Sequence, residues 1–381
     1  MDYKAYIGEN EKWIEETWNK VERKFSKVAL RSREKLPYTA INGVHDDMDC
    51  GKVDWWTNGF WGGLMWLMYS ETKKDVYKDT AVCSEKLLDE ALKDYKCLHH
   101  DVGFMWHILS GAHYRLLKNE ASCNRNLYAA ATLASRFNID GGFIRAWNGE
   151  GTEGKTIIDS LMNLPLLYWA SEEIGDDRFK RIAMRHADMA LCDHIHADGS
   201  VSHIVEHNVD TGEFIKTHTG QGYSENSCWS RGCAWAIYGM VLSYTYTGKK
   251  EYLDAAVNTA DYFIKNCAAT DYKTLVDFCQ PPQPIYYDST AGVCAACGMI
   301  EIAKHVSEDK AREYTESAIK ILKATDENFC DYDENTDALV LYGTERYPRA
   351  GTQGVHIPII YGDFFFVEAM LKLKGSSFLI W

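Results

Sequence analysis

Two aspartates stand in sequence surroundings that suit acid–base chemistry. Asp101 directly follows two histidines, and Phe104 and Trp106 give it aromatic cover. Asp159 stands among apolar residues in TIIDSLMNLP, where loss of water favours the neutral acid. The start of a helix favours the charged carboxylate instead. A second carboxylate nearby is therefore needed to keep one proton on the pair at neutral pH. The sequence therefore predicts that Asp101 and Asp159 form the acid pair of an enzyme.

Aspartate is also a common helix cap, because its side chain accepts a hydrogen bond from an amide of the first turn. Predicted helices begin at or beside five aspartates, which are Asp54, Asp101, Asp159, Asp288 and Asp363. We interpret Asp54, Asp288 and Asp363 as caps only. Asp101 and Asp159 are set apart by the histidines and apolar residues around them.

Arg231 lies in the first turn of a predicted helix that is otherwise apolar, SRGCAWAIYG at 230–239. A buried arginine needs a fixed anionic partner, which is either a neighbouring aspartate or a substrate, and the sequence leaves both open. Aromatic residues collect near the same helix starts: Trp55, Trp56, Phe60, Trp61, Trp147 and Trp229. Flat apolar faces beside carboxylates suit sugar rings, although such residues suit a core equally well.

Two classes of helix that alternate along the chain must position these side chains. One class is apolar nearly all round, which is typical of buried helices. It covers 56–69, 103–117, 160–174, 230–246, 289–306 and 363–373. The other class is amphipathic, with apolar residues at helical spacing. It covers 10–30, 76–92, 124–137, 178–194, 251–266 and 310–327.

Six inner and six outer helices in alternation predict an all-α fold, the (α/α)6 barrel, with residues 1–381 as a single domain. The N-terminal helix is expected to pack beside the last inner helix and close the ring. Long connections at 138–158 and 196–228 lie between an outer helix and the next inner one. They open at the end where the inner helices begin, so we expect the active site there.

The composition excludes several classes of partner. The formal net charge is −14, from 55 acidic and 41 basic residues, and no basic block carries interleaved aromatics. This charge argues against nucleic acid as a binding partner. It also means that a small anionic substrate would need a positively charged group within its binding site. The N-terminus carries no secretory pattern and the apolar stretches are interrupted, so we expect a cytoplasmic protein without membrane contact. The sequence does not choose between a monomer and a homodimer.

The twelve cysteines sit at irregular spacings, as for Cys192, Cys233 and Cys267, and are interpreted as reduced thiols of the core. Cys294 and Cys297 have CxxC spacing but lie in an apolar predicted helix. His203 and His207 stand four residues apart, yet no acidic third ligand is placed beside them. We therefore expect no metal and no cofactor.

At these motifs the sequence resembles the unsaturated glucuronyl hydrolases of glycoside hydrolase family 88. The likeness runs from WTNGFWGG at 56–63 to YGDFFFVEA at 361–369. HDVGF at 100–104, DSLMNLP at 159–165 and SRGCAWAIYG at 230–239 are its most specific segments. The resemblance implies an (α/α)6 barrel whose enzymes hydrate the C4=C5 double bond of an unsaturated uronic acid, after which a hemiketal opens and the neighbouring sugar is released.

The resemblance also implies roles for individual residues. Asp159 is then the general acid and base, while Asp101 holds ring hydroxyls and tunes Asp159. The implied substrate-binding residues are Trp56, Phe60, His100, Trp147, His203, Gln221, Trp229, Arg231 and Tyr342. Some relatives that favour sulfated substrates carry a Ser/Lys-rich stretch in a C-terminal loop. Here that loop, 342–356, contains ERYPRAGTQG instead, with Arg346 and Arg349 as its cations.

Three other functions remain open at this stage. A hydrolase of unsaturated galacturonyl-rhamnose from pectin would share the mechanism. A sugar 2-epimerase on a similar barrel would use a histidine pair. A carbohydrate-binding protein on the same frame would keep the aromatics and Arg231 without turnover.

Overall fold

The computed structural model describes residues 7–349, 351 and 353–381, and within them twelve main helices. In chain order they are α1 (Glu11–Arg31), α2 (Phe60–Thr72), α3 (Asp75–Leu88), α4 (a π-helix Gly103–Gly111 continued by Ala112–Leu117), α5 (Glu120–Ala134), α6 (a 3-10 helix Ile158–Asn163 continued by Leu164–Ile174), α7 (Arg178–Asp193), α8 (Ser230–Thr247), α9 (Lys250–Ala268), α10 (Ser289–Ile302), α11 (Glu308–Phe329) and α12 (Ile360–Leu373). The even-numbered helices are almost wholly buried, and the odd-numbered ones bury one face.

The even-numbered helices form a closed inner ring. Each contacts the next, from α2 through α4, α6, α8 and α10 to α12, and α12 contacts α2. The odd-numbered helices lie outside, and α1 packs against both α12 and α3. The predicted (α/α)6 barrel is therefore confirmed, including closure by the N-terminal helix.

Small residues let neighbouring inner helices approach closely. A Cβ atom on Gly239 of α8 would lie 2.5 Å from the side chain of Leu161 in α6. A Cβ atom on Gly298 of α10 would lie 2.8 Å from Ile237. The glycines therefore allow a contact that any larger residue would push apart.

The outer helices follow the predicted amphipathic pattern. In α1 the buried residues recur at spacings of three and four, as at Ile14, Trp18, Val21, Phe25 and Val28. This stripe faces the barrel, and the charged residues between its members face solvent, except Lys24, which is buried and donates to the Asp333 carbonyl at 3.0 Å.

Some predicted helix starts are wrong. Helix α2 begins at Phe60 rather than Trp56, because residues 53–59 form turns. Asp54 lies in those turns and is not a cap. Asp363 lies inside the first turn of α12, where its carboxylate accepts the backbone N–H groups of Leu339 (3.0 Å) and Val340 (2.7 Å). Asp288 does cap α10, accepting from the N–H of Thr290 at 3.3 Å.

Seven short strands stabilise the connections. They are β1 (Ala40–Ile41), β2 (Val44–His45), β3 (Phe137–Asn138), β4 (Phe143–Ile144), β5 (Lys155–Ile157), β6 (Ile204–His207) and β7 (Phe214–His218). Strands β5, β6 and β7 form one antiparallel sheet, in which Ile157 pairs with Ile204. This pairing brings the start of α6 beside the residue before β6, because the N–H of Ile158 donates to the carbonyl of His203 at 3.0 Å.

All twelve cysteines belong to the described residues, and each is a free thiol. Cys233 and Cys267 are buried, as predicted, but Cys192 is exposed on the solvent side of α7. Cys294 and Cys297 are both buried in α10, where the Cys297 thiol donates to the carbonyl of Phe365 at 3.2 Å. Across the described chain, no helix combines the length and the hydropathy needed to cross a membrane.

Candidate active site

A cavity of about 510 Å³ opens where the inner helices begin. Its lining is Tyr38, Trp55, Trp56, His99, His100, Asp101, Trp147, Ile157, Asp159, His203, Ile204, Gly220, Gln221, Arg231, Glu345, Arg346 and Tyr361. Eight of these are residues that the sequence predicts for the site: Trp56, His100, Asp101, Trp147, Asp159, His203, Gln221 and Arg231. Aromatic rings, carboxylates and one exposed cation thus meet in a space large enough for a small ligand.

The two aspartates are placed by neighbouring inner helices. Asp101 stands just before α4, and Asp159 lies in the first turn of α6. Neither caps its helix through the side chain. Asn163 joins them, because its Nδ2 donates to Asp101 Oδ1 at 3.2 Å and to the Asp159 carbonyl at 3.4 Å. Its Oδ1 accepts the N–H of Phe104 at 2.8 Å, which fixes the amide orientation.

Burial first, and then the charge of Asp159, raise the pKa of Asp101 well above its ordinary value, against smaller opposing effects of Asn163 and Arg136. The imidazoles of His99 and His100 approach Asp101 Oδ2 at 3.4 and 3.2 Å. Burial lowers the pKa of His99 to about 4 and that of His100 well below its usual range. At neutral pH both imidazoles are therefore uncharged, and neither contact with Asp101 is an ion pair.

Asp159 faces His203 across the cavity wall. His203 Nε2 lies 3.4 Å from Asp159 Oδ2, and neither atom makes a hydrogen bond within the described residues. His203 Nδ1 accepts the backbone N–H of Gln221 at 2.9 Å, so a neutral His203 carries its proton on Nε2, toward Asp159. Trp229 backs this imidazole, with ring centres 4.2 Å apart. Asp159 therefore lines the cavity with one carboxylate oxygen that has no hydrogen-bond partner within the described residues.

Arg231 has a protein partner. Its guanidinium forms a buried ion pair with Asp288 and donates to Thr290 Oγ1 (3.2 Å) and to the carbonyls of Thr344 (2.8 Å) and Glu345 (2.7 Å). Burial is the largest effect and opposes the charge, but Asp288 together with Tyr361, Asp159 and Tyr38 outweighs it, so the pKa of Arg231 is raised above its ordinary value. Of the two partners left open by the sequence, the structure provides the neighbouring aspartate.

Three predicted contact residues do not line the cavity. Phe60 is fully buried, with its ring 5.3 Å from Phe104. Trp229 is buried behind His203 and below the Arg231 guanidinium, which lies 4.6 Å from its ring. Tyr342 is 40% exposed and stacks on Phe329 at 5.1 Å, outside the lining. Phe60 and Trp229 support the wall, whereas Tyr342 lies outside the lining and its contact with the leaving sugar stays a prediction.

Several lining residues were not predicted. Tyr38 donates a hydrogen bond to the Glu345 carboxylate, which joins a segment before α2 to the loop before α12. Tyr361 is buried in the first turn of α12, with its ring 5.3 Å from Trp56. Contacts between such distant segments leave no local pattern in the sequence. Tyr361 is the first residue of YGDFFFVEA, a segment that the resemblance includes.

Glu345 and Arg346, in the loop before α12, form one wall of the cavity. Gln221 holds it, because its side-chain amide donates to the Glu345 carbonyl and its own carbonyl accepts the N–H of Tyr347 at 2.8 Å. Arg349 donates to the carbonyls of Gly220 (3.0 Å) and Gly222 (3.2 Å), so it is committed to the wall. Arg346 is exposed and lines the cavity.

Among the described residues, His99, His100 and Asp101 form a group whose ligand atoms lie within 4.8 Å of one another, close enough for a metal ion. A metal site was not predicted at these three residues from the sequence. His203 and His207 do not converge, because His207 Nε2 is bonded to Asp193 at 2.9 Å. The donor set of the cavity is thus mainly that of an acid–base site.

A helical barrel with two coupled carboxylates in an aromatic cavity defines a carbohydrate-active hydrolase of the (α/α)6 class. The family model for Glycosyl Hydrolase Family 88 matches residues 29–244, more than half of the chain. An unsaturated glucuronyl hydrolase of Bacillus sp. (strain GL1) is 33% identical over 332 residues, covering 84% of this chain and 86% of that protein. The chain therefore belongs to glycosyl hydrolase family 88.

Further relatives agree over most of the chain. An unsaturated chondroitin disaccharide hydrolase of Streptococcus pyogenes serotype M1 is 33% identical over 325 residues, covering 83% of this chain and 80% of that protein. The crystal structure of the unsaturated glucuronyl hydrolase from Bacillus sp. GL1 superposes with a TM-score of 0.88 at 29% identity, covering 95% of this chain and 97% of that one. The barrel and its family are thus shown by sequence and by structure.

Proposed function

We propose that this protein releases the unsaturated uronic acid from the non-reducing end of lyase-generated glycosaminoglycan di- or oligosaccharides, by hydrating the C4=C5 double bond. The buried pair Asp101 and Asp159 carries the proposal. Protonating an enol ether needs a carboxylic acid that keeps a proton near neutral pH. The raised pKa of Asp101 provides such a proton within the pair.

Asp159 is the group that we assign to proton delivery. Its Oδ2 makes no hydrogen bond within the described chain, whereas Asp101 is in contact with Asn163, His99 and His100. A sugar hydroxyl that donates to Asp101 favours the charged form of that carboxyl. The proton that Asp101 gives up is then available to Asp159, the second carboxyl of the cavity.

The proposed chemical step adds one water molecule across the C4=C5 bond. Asp159 gives its proton to C4, and a water molecule adds its oxygen to C5 while returning a proton to the Asp159 carboxylate. The product at C5 is a hemiketal, which opens at the ring oxygen. C1 is left as a hemiacetal and expels the neighbouring sugar as an alcohol. No covalent enzyme intermediate is required.

The other lining residues position the sugar. The rings of Trp56 and Trp147 provide flat walls, and His100 and the Nε2–H of His203 are oriented toward the two carboxyls. Arg231 stabilises the cavity wall rather than binding the sugar, because its guanidinium already bonds Asp288 and the carbonyls of residues 344 and 345. Arg346 supplies the local positive feature that an anionic sugar needs on a chain of net charge −14.

The place of action is also part of the proposal. We infer a cytoplasmic enzyme that works on small saccharides after their import, as a monomer or homodimer. Fractionation of the producing cells, with activity assayed in each fraction, tests the compartment. Recovery of the activity in the culture medium would contradict it.

The activity is tested with unsaturated disaccharides from chondroitin, hyaluronan, heparin and pectin lyase digests. Loss of the ultraviolet absorbance of the C4=C5 bond measures hydration, and the best disaccharide identifies the preferred leaving sugar. We expect Asp159→Asn to lower kcat by roughly 10²–10⁴, the usual contribution of a positioned general acid–base. Asp261→Asn, on outer helix α9, is the control and should retain activity.

His203→Gln separates hydrolysis from epimerisation. A 2-epimerase would lose its proton transfer with this variant, and Asp159→Asn would affect it less. Absence of any absorbance change with folded wild-type protein would overturn the hydrolase proposal.

A further inference from the structure

A second pocket lies beside the active-site cavity, on the other side of the chain segments 96–100 and 145–148. Its volume is about 350 Å³, and it is lined by Tyr95, Lys96, Leu98, Ser135, Arg136, Arg145 and Asn148, a set we call the cationic pocket. Three of these seven residues are cations, and none of these described lining residues is acidic. On a chain of net charge −14, such a concentration of positive charge indicates a ligand of opposite sign.

Arg136 has only uncharged hydrogen-bond acceptors. Its guanidinium donates to the carbonyls of Arg145 (2.9 Å), Ala146 (3.2 Å) and Leu98 (3.3 Å) and to Asn148 Oδ1 (2.8 Å). None of the ion pairs found among the described residues includes Arg136. These bonds fix the guanidinium but leave its charge uncompensated.

Arg145 adds a second charge beside the first. Its Nε makes no hydrogen bond within the described chain, and its closest carboxylate is Glu153, 3.7 Å away and half-exposed. A pair of this kind contributes little. Burial first, and then the charge of Arg145, lower the pKa of Arg136 to about 10, against smaller opposing effects of Tyr95 and Asp101.

An aromatic groove continues from the cationic pocket. It has a volume of about 490 Å³ and is lined by Leu92, Tyr95, Leu98, Tyr128, Ala131, Thr132 and Ser135, a set we call the tyrosine groove. Tyr95 and Tyr128 are 60% and 66% exposed. Large rings held open to solvent beside polar groups are the surface that sugar rings stack on, and an isolated inorganic ion would not need them.

We propose that the cationic pocket and the tyrosine groove together form a second saccharide-binding site, which takes an acidic sugar through its carboxylate or sulfate group. The anion is held at Lys96, Arg136 and Arg145, and the adjoining sugar ring lies along Tyr95 and Tyr128. The site is distinct from the catalytic cavity, because Trp147 lines the cavity whereas the next residue, Asn148, lines the pocket.

Binding tests the proposal without any need for turnover. A chondroitin sulfate tetrasaccharide with a saturated non-reducing end is titrated into the protein by calorimetry, with inorganic sulfate at equal ionic strength as the second probe. We expect Lys96→Glu to weaken tetrasaccharide binding at least about tenfold, because one charge-assisted contact is replaced by repulsion. Lys96 is exposed and makes no side-chain hydrogen bond that the fold requires, so the variant should fold.

Two matched variants complete the experiment. Lys27→Glu makes the same charge change at an exposed lysine of α1 and should leave tetrasaccharide binding unaltered. Tyr128→Ser should weaken the tetrasaccharide and leave sulfate binding unchanged. The proposal would be overturned if Lys96→Glu and Lys27→Glu changed tetrasaccharide affinity equally. Equal affinity for sulfate and for the tetrasaccharide would also overturn it, because the pocket would then bind an adventitious ion only. A failure here leaves the proposed hydrolysis untouched, because the catalytic cavity is measured separately.

Discussion

Replacing Arg231 by methionine tests whether this arginine serves the protein or the substrate. The side chains of Arg231 and Asp288 are only 2% and 0% exposed, so Arg231→Met leaves a buried carboxylate without its partner. Removing one member of a buried pair costs about 3–5 kcal/mol. With an unfolding entropy of about 2.1 cal/mol/K per residue, the 381-residue chain should lose roughly 4–6 °C in its thermal midpoint.

The assay is thermal unfolding followed by circular dichroism, alongside KM for the best disaccharide. Lys310→Met is the control, because Lys310 and Asp261 lie 3.2 Å apart but are 41% and 42% exposed. Such a surface pair contributes about 0–1 kcal/mol, so its midpoint should shift by about 1 °C at most. Removing both charges in Arg231→Met/Asp288→Leu should cost less than the two single variants together.

A different result would refute the structural role. If the substrate were the true partner of Arg231, the midpoint of Arg231→Met would match that of Lys310→Met, and only KM would rise. Loss of activity alone does not discriminate, because the Arg231 bonds to the 344–345 carbonyls also hold one wall of the cavity. The thermal midpoint is therefore the deciding measurement.

Three further predictions concern pH, packing and charge. Burial lowers the pKa of His186 and of His194 to about 3, below the unfolded value of about 6.5. The unfolded chain therefore binds more protons between these two pH values, and the free energy of unfolding should fall as the pH drops through them. Thermal midpoints measured between neutral and acid pH check this, and His194→Gln should make the midpoint depend less steeply on pH. Gly239→Ala should destabilise the barrel by about 1–3 kcal/mol, because the new Cβ would meet Leu161 at 2.5 Å. Gly8→Ala is the control and should not destabilise the protein, because Gly8 has open space around it. Equal thermal midpoints for the two variants would contradict the close approach of α6 and α8. Arg346→Gln should raise KM more for a sulfated disaccharide than for its unsulfated counterpart, and the difference should shrink at high salt; equal changes in KM would show that Arg346 does not contact the sulfate.

Much of the fold could be predicted because the barrel is a repeat. The contrast between helices that are apolar all round, such as α8, and amphipathic ones, such as α1, is visible in composition and spacing alone. Helix starts were less predictable. Trp56 has the residue type of an inner helix, yet residues 53–59 turn before α2 begins, and the Trp56 ring lines the cavity from that turn.

Part of the cavity lining was predictable for a related reason. Asp101, His100 and Asp159 belong to short segments whose local order already shows charge beside apolar and aromatic residues. Tyr38 and Glu345 lie far apart in the chain, and only the closed ring brings their side chains together. The position of Tyr342 was also not visible in the sequence, because its ring stacks on Phe329 of α11, a contact between distant parts of the chain.

The closure of the ring and the formation of the cavity depend on the same contacts. Arg231 begins α8, Asp288 caps α10, and both reach the segment 344–345 that walls the cavity. Tyr38 reaches the same segment from the chain before α2. Buried charges of this kind give specificity of arrangement more than stability, because desolvation offsets most of their attraction. It follows that variants in this network should misplace the wall even where a second substitution restores stability, so that stability recovers in Arg231→Met/Asp288→Leu while KM does not.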